Sequence, residues 1–206
     1  MAESVSGEEV NGTTYNKNKH TWQRTIGGTA KEDQFVLTAE PVVATYSILA
    51  SGVSTATSAS HIVSINADGT NYFRLRRIFI EQVAAAGSAT LAQFALFRIS
   101  TAASGGGAIS ARPFDAADTN PYGGTVQTLP SSKGTEGNQL WQKRMGLSNT
   151  AATTANPNSV EWLWRDGMKP IICGAATTDG LALKIITGIA SGTVDVTMEF
   201  VVTSFL

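Results

Sequence analysis

Residues 180–203, GLALKIITGIASGTVDVTMEFVVT, decide the fold of this chain. In the second half of the stretch apolar residues alternate with polar ones: Val194, Asp195, Val196, Thr197, Met198, Glu199 and Phe200. Because successive side chains of a strand point to opposite faces, this period of two predicts a half-buried strand, with only Val201 breaking the pattern. The turn at residues 188–192, which begins and ends with glycine, separates it from a first strand, so the stretch predicts a β-hairpin.

Similar strand signals recur through the rest of the chain, separated by turn-forming residues. The predicted strands are 34–39, 42–49, 61–66, 71–83, 90–100, 108–114, 125–129, 140–147, 160–164 and 169–173. No segment has a convincing helical pattern. Many short strands with turn signals between them predict an all-β fold, a jelly-roll-like sandwich or barrel of roughly ten strands.

Two of the predicted strands carry more specific information. In 71–83, Phe73 and Leu75 share one parity and Ile78 shares the other with Ile80, so the phase switch at Arg76-Arg77 predicts a β-bulge. Residues 90–100 are apolar on both faces, which predicts a central strand or one that is covered twice.

The charge content is low for a soluble domain. Charged residues make up 15% of the 206 residues and the net charge is −1, against about 25% charged residues in typical domains. A Ser/Thr-rich exterior explains this shortage, and so does a surface covered by neighbouring subunits, which we favour. A net charge near zero supplies no general attraction for nucleic acid, so no specific nucleic-acid partner is expected.

The N-terminal segment differs from the rest. Residues 1–33 are polar and irregular, with Tyr15 and Trp22 as isolated aromatic residues. They predict an extended N-terminal arm, followed by a β-domain over residues 34–206. No export signal and no apolar run of about 18 residues are visible, so neither export nor a membrane partner is expected.

The residues that could perform chemistry are few. Cys173 is the single cysteine and follows an apolar run, which excludes an internal disulfide and a cysteine zinc site and predicts a buried, inert thiol. His20 and His61 have no partner at metal-ligand spacing. Nucleophile-elbow and phosphate-loop motifs are absent. The sequence therefore predicts no enzymatic activity, no cofactor and no metal.

Two acidic segments have a chemical and a structural interpretation. Residues 66–71, NADGTN, place oxygen-bearing side chains as in a calcium loop, but the glutamate that would end such a loop is missing, and a hairpin turn is preferred. Asp115 and Asp118 could act as paired carboxylates on a sugar, but acidic residues in loops more often cap turns.

Aromatic and basic residues supply the candidate interface. Trp162 and Trp164 share one parity of a predicted strand, and with Trp141 they could fill a core or interface, or form a platform for sugar rings. Arg74 and Arg76 share one parity and Arg77 the other, so a single basic stripe is not expected. Ion pairs with the carboxylates of a neighbouring subunit are preferred for these arginines.

Several segments resemble the small jelly-roll structural proteins of tailed bacteriophage virions, including head-decoration and minor virion proteins. The segments are 71–83 with RLRRI, 97–101 with the glycines 105–107, 112–115 and 192–200. The resemblance implies a non-enzymatic virion protein, assembled in the host cytoplasm, that forms a homo-oligomer, typically a trimer. It implies contact with the major capsid protein or other virion proteins. In this interpretation the arm docks on the lattice, with Tyr15 and Trp22 as anchors.

Two other functions remain open at this stage. A tail or fibre domain that binds a receptor or glycan would expose an aromatic cluster, most plausibly Trp162, Trp164 or Trp141. A polysaccharide-cleaving β-protein would require converging carboxylates, of which the chain offers few.

Overall fold

The computed structural model describes residues 20–26, 29–35, 44–116, 122–149, 158–165 and 167–203, the first two ranges by their backbone alone. Every regular element within these ranges is a β-strand, so the predicted all-β class is confirmed. None of the described residues belongs to a helix long and apolar enough to cross a membrane.

The strands found in the described ranges are numbered in chain order. They are β1 (His20–Ile26), β2 (Thr29–Phe35), β3 (Thr45–Ser54), β4 (Ser60–Asn66), β5 (Tyr72–Ala84), β6 (Thr90–Ile99), β7 (Gly107–Ala108), β8 (Arg112–Pro113), β9 (Val126–Thr128), β10 (Glu136–Leu147), β11 (Ser159–Leu163), β12 (Ile171–Cys173), β13 (Gly180–Thr187) and β14 (Thr193–Thr203).

The strands from β3 to β14 form two antiparallel sheets, consistent with a β-sandwich. The front sheet has the order β11-β5-β14-β3-β8, and β12 pairs with β5 on the same side as β11. The back sheet has the order β10-β6-β13-β4-β9-β7. The hairpin predicted from residues 180–203 therefore supplies a central strand to each sheet, β13 to the back and β14 to the front.

Eight of these strands pair in a nested order. β3 pairs with β14, β4 with β13, β5 with β11 and β6 with β10. Two further pairings, β14 with β5 and β13 with β6, join these pairs into the front and back sheets. The first four of these strands thus pair in reverse order with the last four, as in one long antiparallel ribbon. Alternate pairs along this ribbon belong to the front and the back sheet.

The core lies between the layers. Its largest fully buried side chains include Phe73, Phe94 and Phe200. In β14 the four residues Val194, Val196, Met198 and Phe200 are all buried, which confirms the alternation read from the sequence. Val201, the exception to the alternation, is buried as well, next to an irregularity in the β14–β5 register between Glu199 and Phe200. Burial of this apolar surface is the main source of stability for such a sandwich.

The predictions for three other strands have different outcomes. The 90–100 strand is confirmed as central: β6 lies between β10 and β13, and Phe94, Ala95 and Leu96 are all fully buried. The strand predicted at 42–49 extends further than expected, because β3 continues to Ser54. The single strand predicted at 108–114 is wrong. Its ends form β7 and β8, which belong to different sheets, so this segment passes from the back layer to the front.

The N-terminal part is described by itself. β1 and β2 form a two-stranded antiparallel sheet in which His20 is opposite Phe35 and Ile26 is opposite Thr29. The chain divides into the compact units Met1–Val42 and Val43–Leu206. The arm boundary predicted after residue 33 therefore falls inside β2. The rest of the predicted arm, residues 1–19 with Tyr15 and residues 27–28, lies outside the described residues.

Candidate functional site

The bulge predicted in β5 is confirmed. In the ladder with β14, Glu199 is opposite Arg77 and Phe200 is opposite Leu75, so Arg76 has no opposite residue. A bulge of this kind inserts one extra residue and shifts the inside-outside alternation of the strand by one position.

The shift places all three arginines on the outer surface of the front sheet, which we call the front face. The apolar side chains of β5 are buried on both sides of the bulge: Phe73, Leu75, Ile78 and Ile80. Arg74, Arg76 and Arg77 are each partly exposed. The expectation that Arg77 would lie on the opposite face is therefore wrong, because that expectation counted parity straight through the bulge.

Arg77 is held by carboxylates of its own chain. Its Nε donates to Glu161 Oε1 at 2.6 Å and its Nη1 donates to Glu199 Oε1 at 3.1 Å. These bonds, the one to Glu161 first, raise the pKa of Arg77 above its usual value. The guanidinium also lies 5.2 Å from the ring centre of Phe79. Because the ion-pairing groups are partly exposed, each pair contributes about 0.2–1 kcal/mol, so the cluster orders the face more than it stabilises the fold.

Arg76 and Trp164 form a second contact at the edge of this face. The guanidinium carbon of Arg76 lies 4.3 Å from the ring centre of Trp164, a cation–π distance. The indole Nε1 donates to the carbonyl oxygen of Met168 at 2.9 Å, and the Trp164 backbone N donates to the Arg76 oxygen at 2.8 Å. The neighbouring Arg74 has a buried Nε without a hydrogen-bond partner among the described residues.

The tryptophans are not brought together as one platform. Trp162 lies in β11 opposite Ile78, and it is partly buried against the core. Trp164 follows the end of β11 and packs under Arg76 instead. Trp141, on β10, is also partly buried against the core. Trp22 lies in β1, where only the backbone is described. The described indoles are therefore partly buried against the core or in contact with Arg76, and they do not form one exposed cluster.

The front face also exposes apolar side chains. Leu49 on β3 is 59% exposed and Leu163 on β11 is 49% exposed. Leu163 is opposite Arg77, and Leu49 is opposite Thr197, which on its other side is opposite Phe79. Apolar side chains beside arginines held in place by carboxylates are typical of protein interaction surfaces. This is the candidate site that the fold presents most clearly.

Part of the outer surface of the back sheet is covered. Small residues there, Ser64, Ala95 and Ala182, are buried although they do not belong to the central apolar cluster. The segment 129–135 leads from β9 on one side of the sheet to β10 at the opposite edge. Along its way Thr135 O accepts from Ser100 N at 3.0 Å, and Lys133 Nζ donates to Ala59 O at 2.6 Å. This segment, which we call the crossing segment, therefore lies over part of the sheet.

A buried histidine lies at the end of the crossing segment. His61 is 0% exposed, and its Nε2 lies 2.9 Å from Glu136 Oε1. Lys184 Nζ donates to both oxygens of Glu136 at 2.8 Å. The histidine Nδ1 has no partner among the described residues. The sequence did not indicate this cluster, which joins three strands of the back sheet.

The charge states in this cluster follow from its surroundings. Burial lowers the pKa of His61, and the positive charges of Lys133 and Lys184 lower it further, whereas Glu136 opposes the shift without reversing it. Burial alone would raise the pKa of Glu136, but hydrogen bonds from Lys184 and His61 place it below its usual value. His61 is therefore neutral at pH 7, with Nε2–H donating to an ionised Glu136.

The stability of the chain should decline between about pH 7 and pH 5. A histidine whose pKa is lowered by folding takes up protons more readily when unfolded, so acid favours the unfolded state below the unfolded pKa near 6.5. We expect the urea midpoint of unfolding to fall over this range, and His61→Gln to flatten the decline. His20→Gln removes the only other histidine and serves as the control. An equal slope in His61→Gln and the unaltered chain would contradict this role.

A shallow pocket of about 370 Å³ lies at the end of the sandwich near β12. Its lining includes Arg98, Asn138, Cys173 and Asp179. Arg98 Nη1 is occupied, because it donates to the carbonyl oxygen of Ile172 at 2.6 Å. Cys173 is buried, as predicted, and burial raises the pKa of its thiol to about 12. The thiol is therefore protonated at neutral pH, which makes it a poor nucleophile.

The acidic segments support structural roles where they are described. Asp68 Oδ1 accepts from the backbone N of Thr70 at 2.8 Å and of Asn71 at 2.7 Å, so this carboxylate closes a turn as the sequence predicts. Asp115 is exposed, and Asp118 lies outside the described residues. Within the described part of the chain, no three His, Cys, Asp or Glu side chains come together as a metal site would require.

Comparison with known proteins gives no relative: the chain matches no family model, no curated protein and no solved structure.

Proposed function

We propose that this chain is a non-enzymatic structural protein of a tailed-bacteriophage virion, a head-decoration or cement protein that docks on a capsid lattice. The observation that carries the proposal is the nested pairing of eight strands. Numbered one to eight along the chain, they form the layers 1-8-3-6 and 2-7-4-5. This order is the one expected when one long antiparallel strip is rolled into two layers, and it supports a jelly roll of the kind that recurs in viral capsid and lectin domains.

The surfaces of the sandwich support a docking role. The crossing segment covers the small residues Ser64 and Ala182 of the back sheet, and the front face exposes Leu49 and Leu163 beside the Arg77 cluster. In this proposal the front face contacts the major capsid protein or another virion protein. The intrachain bonds of Arg77 keep its side chain in one place before a partner arrives, which reduces the entropy lost on binding.

The rival proposal, a tail or fibre domain that binds a receptor or glycan, is less well supported. Lectins also use jelly rolls, but a sugar platform needs an exposed aromatic ring. Trp162 and Trp141 are partly buried against the core, and Trp164 lies under Arg76. These contacts favour the lattice-docking role for the same set of residues.

The N-terminal unit completes the proposal. We assign to residues 1–42 the contact with neighbouring subunits or the lattice, with Tyr15 and Trp22 as the candidate anchors. The assembly is a symmetric homo-oligomer, for which the family resemblance implies a trimer, and the protein is located in the virion. No cofactor is needed for this role.

Removal of residues 1–42 tests the proposal. The cut follows the division between the two compact units and avoids β2, which a cut after residue 33 would break. We expect the truncated protein to keep its strand signal in circular dichroism and its cooperative thermal transition, because the buried cluster lies within residues 46–200. Its occupancy on virus particles lacking this protein should fall to background. Equal occupancy of the full chain and the truncated form would refute the role of the arm.

A further inference from the structure

One long edge of the sandwich has no neighbouring strand in the part of the chain that the structure describes. β10 has 12 residues and ends the back sheet, pairing only with β6 among the described strands. An edge strand presents a row of free N–H and C=O groups that a further strand can bind. The register with β6 is irregular up to Trp141 and continuous from Trp141 to Leu147. The available part of this edge is therefore a regular stretch of seven residues.

A strand of matching length lies in the N-terminal unit. β2 has seven residues and, within the described ranges, pairs only with β1, in a two-stranded sheet. A two-stranded hairpin is marginally stable in water, and a third strand is the usual remedy. The edge of β2 that faces away from β1 is the one that can take such a strand.

We propose that β2 of one copy adds to β10 of a neighbouring copy as an antiparallel strand, with Thr29 opposite Leu147 and Phe35 opposite Trp141. This inference rests on the symmetric oligomer of the proposed function and names the surfaces that join its subunits. Each copy gives one strand and accepts one, so the contact is head-to-tail and closes into a ring when the rotation between subunits allows it.

The charges of the two strands fit this register. It places Asp33 opposite Lys143 and Glu32 opposite Arg144, two cross-strand pairs of opposite charge. Lys143 and Arg144 are both exposed on β10. Lys143 has the same parity as the buried Met145, so it is a charge on the core side of an edge, a device that discourages unselective strand pairing. A strand that places a carboxylate opposite Lys143 can still pair with this edge, because the two charges are opposite.

Two of the other three full-length arrangements bring like charges together, and the third, β1 placed parallel, puts the uncharged Trp22 and Gln23 opposite Lys143 and Arg144. β2 placed parallel to the same stretch of β10 would put Lys31 opposite Lys143. β1 placed antiparallel would put Arg24 opposite Lys143. Like charges directly opposite each other destabilise a strand pair. Of these arrangements, only antiparallel β2 pairs both basic residues with acidic ones.

Charge reversal tests this register. One variant carries Glu32→Lys and Asp33→Lys, a second carries Lys143→Asp and Arg144→Glu, and a third carries all four changes. The native mass is measured by light scattering at one protein concentration, and circular dichroism confirms that each variant is folded. We expect the unaltered chain to have a multiple of the 21.6 kDa chain mass. Each reversed pair should reduce it to 21.6 kDa, and the fourfold variant should restore the oligomer.

Paired cysteines then locate the contact. Gln34→Cys with Gln142→Cys places two thiols opposite each other in the proposed register, within the distance that a disulfide spans. We expect mild oxidation to link separate chains, as seen on a non-reducing denaturing gel. Gln34→Cys with Lys143→Cys, shifted by one residue to the other side of the strand, is the control. The native Cys173 is buried and does not compete.

The possible failures are distinct. A disulfide formed within one chain would overturn the proposal, because β2 would then pair with β10 of its own copy. An oligomer whose native mass is unchanged in both charge-reversed variants would also overturn the proposed strand pairing. That result would leave the proposed lattice-docking function intact. If the unaltered chain and every variant were monomeric and failed to bind virus particles, both the strand pairing and the lattice-docking function would be overturned.

Discussion

Phe200→Ala is expected to lower the free energy of unfolding by about 3–5 kcal/mol, the usual cost of removing a fully buried phenylalanine side chain. Phe200 is 0% exposed. Its ring centre lies 5.6 Å from those of Tyr46 and Phe73 and 4.8 Å from that of Tyr122. The change therefore leaves a cavity among three aromatic rings that belong to different segments. Equilibrium unfolding in urea measures the loss.

Phe114→Ala is the matched control for this experiment. It removes the same side chain from a position that is 60% exposed. We expect the free energy of unfolding to change by about 0.5 kcal/mol or less, as for ordinary surface substitutions. A similar loss in both variants would mean that the burial of Phe200 among these rings is not the source of the loss.

The position of Phe200 in the sheet explains why residues 180–203 predict the fold class so clearly. β14 lies between β5 and β3, so one of its faces meets the core along its whole length. A strand in that place shows its burial directly in the alternation of its residues. The same reasoning located the bulge in β5, because the phase of Phe73 and Leu75 against Ile78 is also a local signal.

The candidate site could be predicted only in part. The three arginines and Trp164 were identified as interface residues from their type, but their arrangement depends on contacts between distant segments. Arg77 binds Glu161 and Glu199, which are 84 and 122 residues away. The sequence contains no periodic signal for such pairs, so a neighbouring subunit was the expected partner. Sequence parity also assigns Arg77 to the wrong face of the sheet, because a bulge reverses every face assignment that follows it.

The cluster of His61, Glu136 and Lys184 on the back sheet could not be predicted for the same reason, because its members are far apart in the sequence. His61 and Glu136 are 75 residues apart, and Lys184 is 48 residues beyond Glu136. They meet because the crossing segment brings the chain from one side of the back sheet to the other. Small residues beneath it, Ser64 and Ala182, leave room for that passage. Composition alone identifies these residues as turn or strand formers and does not reveal that they are covered.

Gly180→Ala is expected to destabilise the chain by about 1–3 kcal/mol, the usual cost of overpacking a filled interior. Gly180 begins β13 and is flanked by Asn66 and Ile99 on the neighbouring strands. A Cβ on Gly180 would lie 2.8 Å from Asn66 Nδ2 and 2.8 Å from Ile99 Cγ1, and closer still to the carbonyl oxygen of Ile65. Since that oxygen belongs to the backbone of a central strand, it cannot move aside without distorting the ladder.

Gly146→Ala makes the same chemical change in β10, where a Cβ would meet nothing within 4 Å. We expect its urea midpoint to equal that of the unaltered chain or rise slightly, because alanine restricts the unfolded chain more than glycine does. Gly180→Ala should unfold at a clearly lower urea concentration. If both variants matched the unaltered chain, β4, β13 and β6 would not be packed as closely at this end as the contacts of Gly180 require.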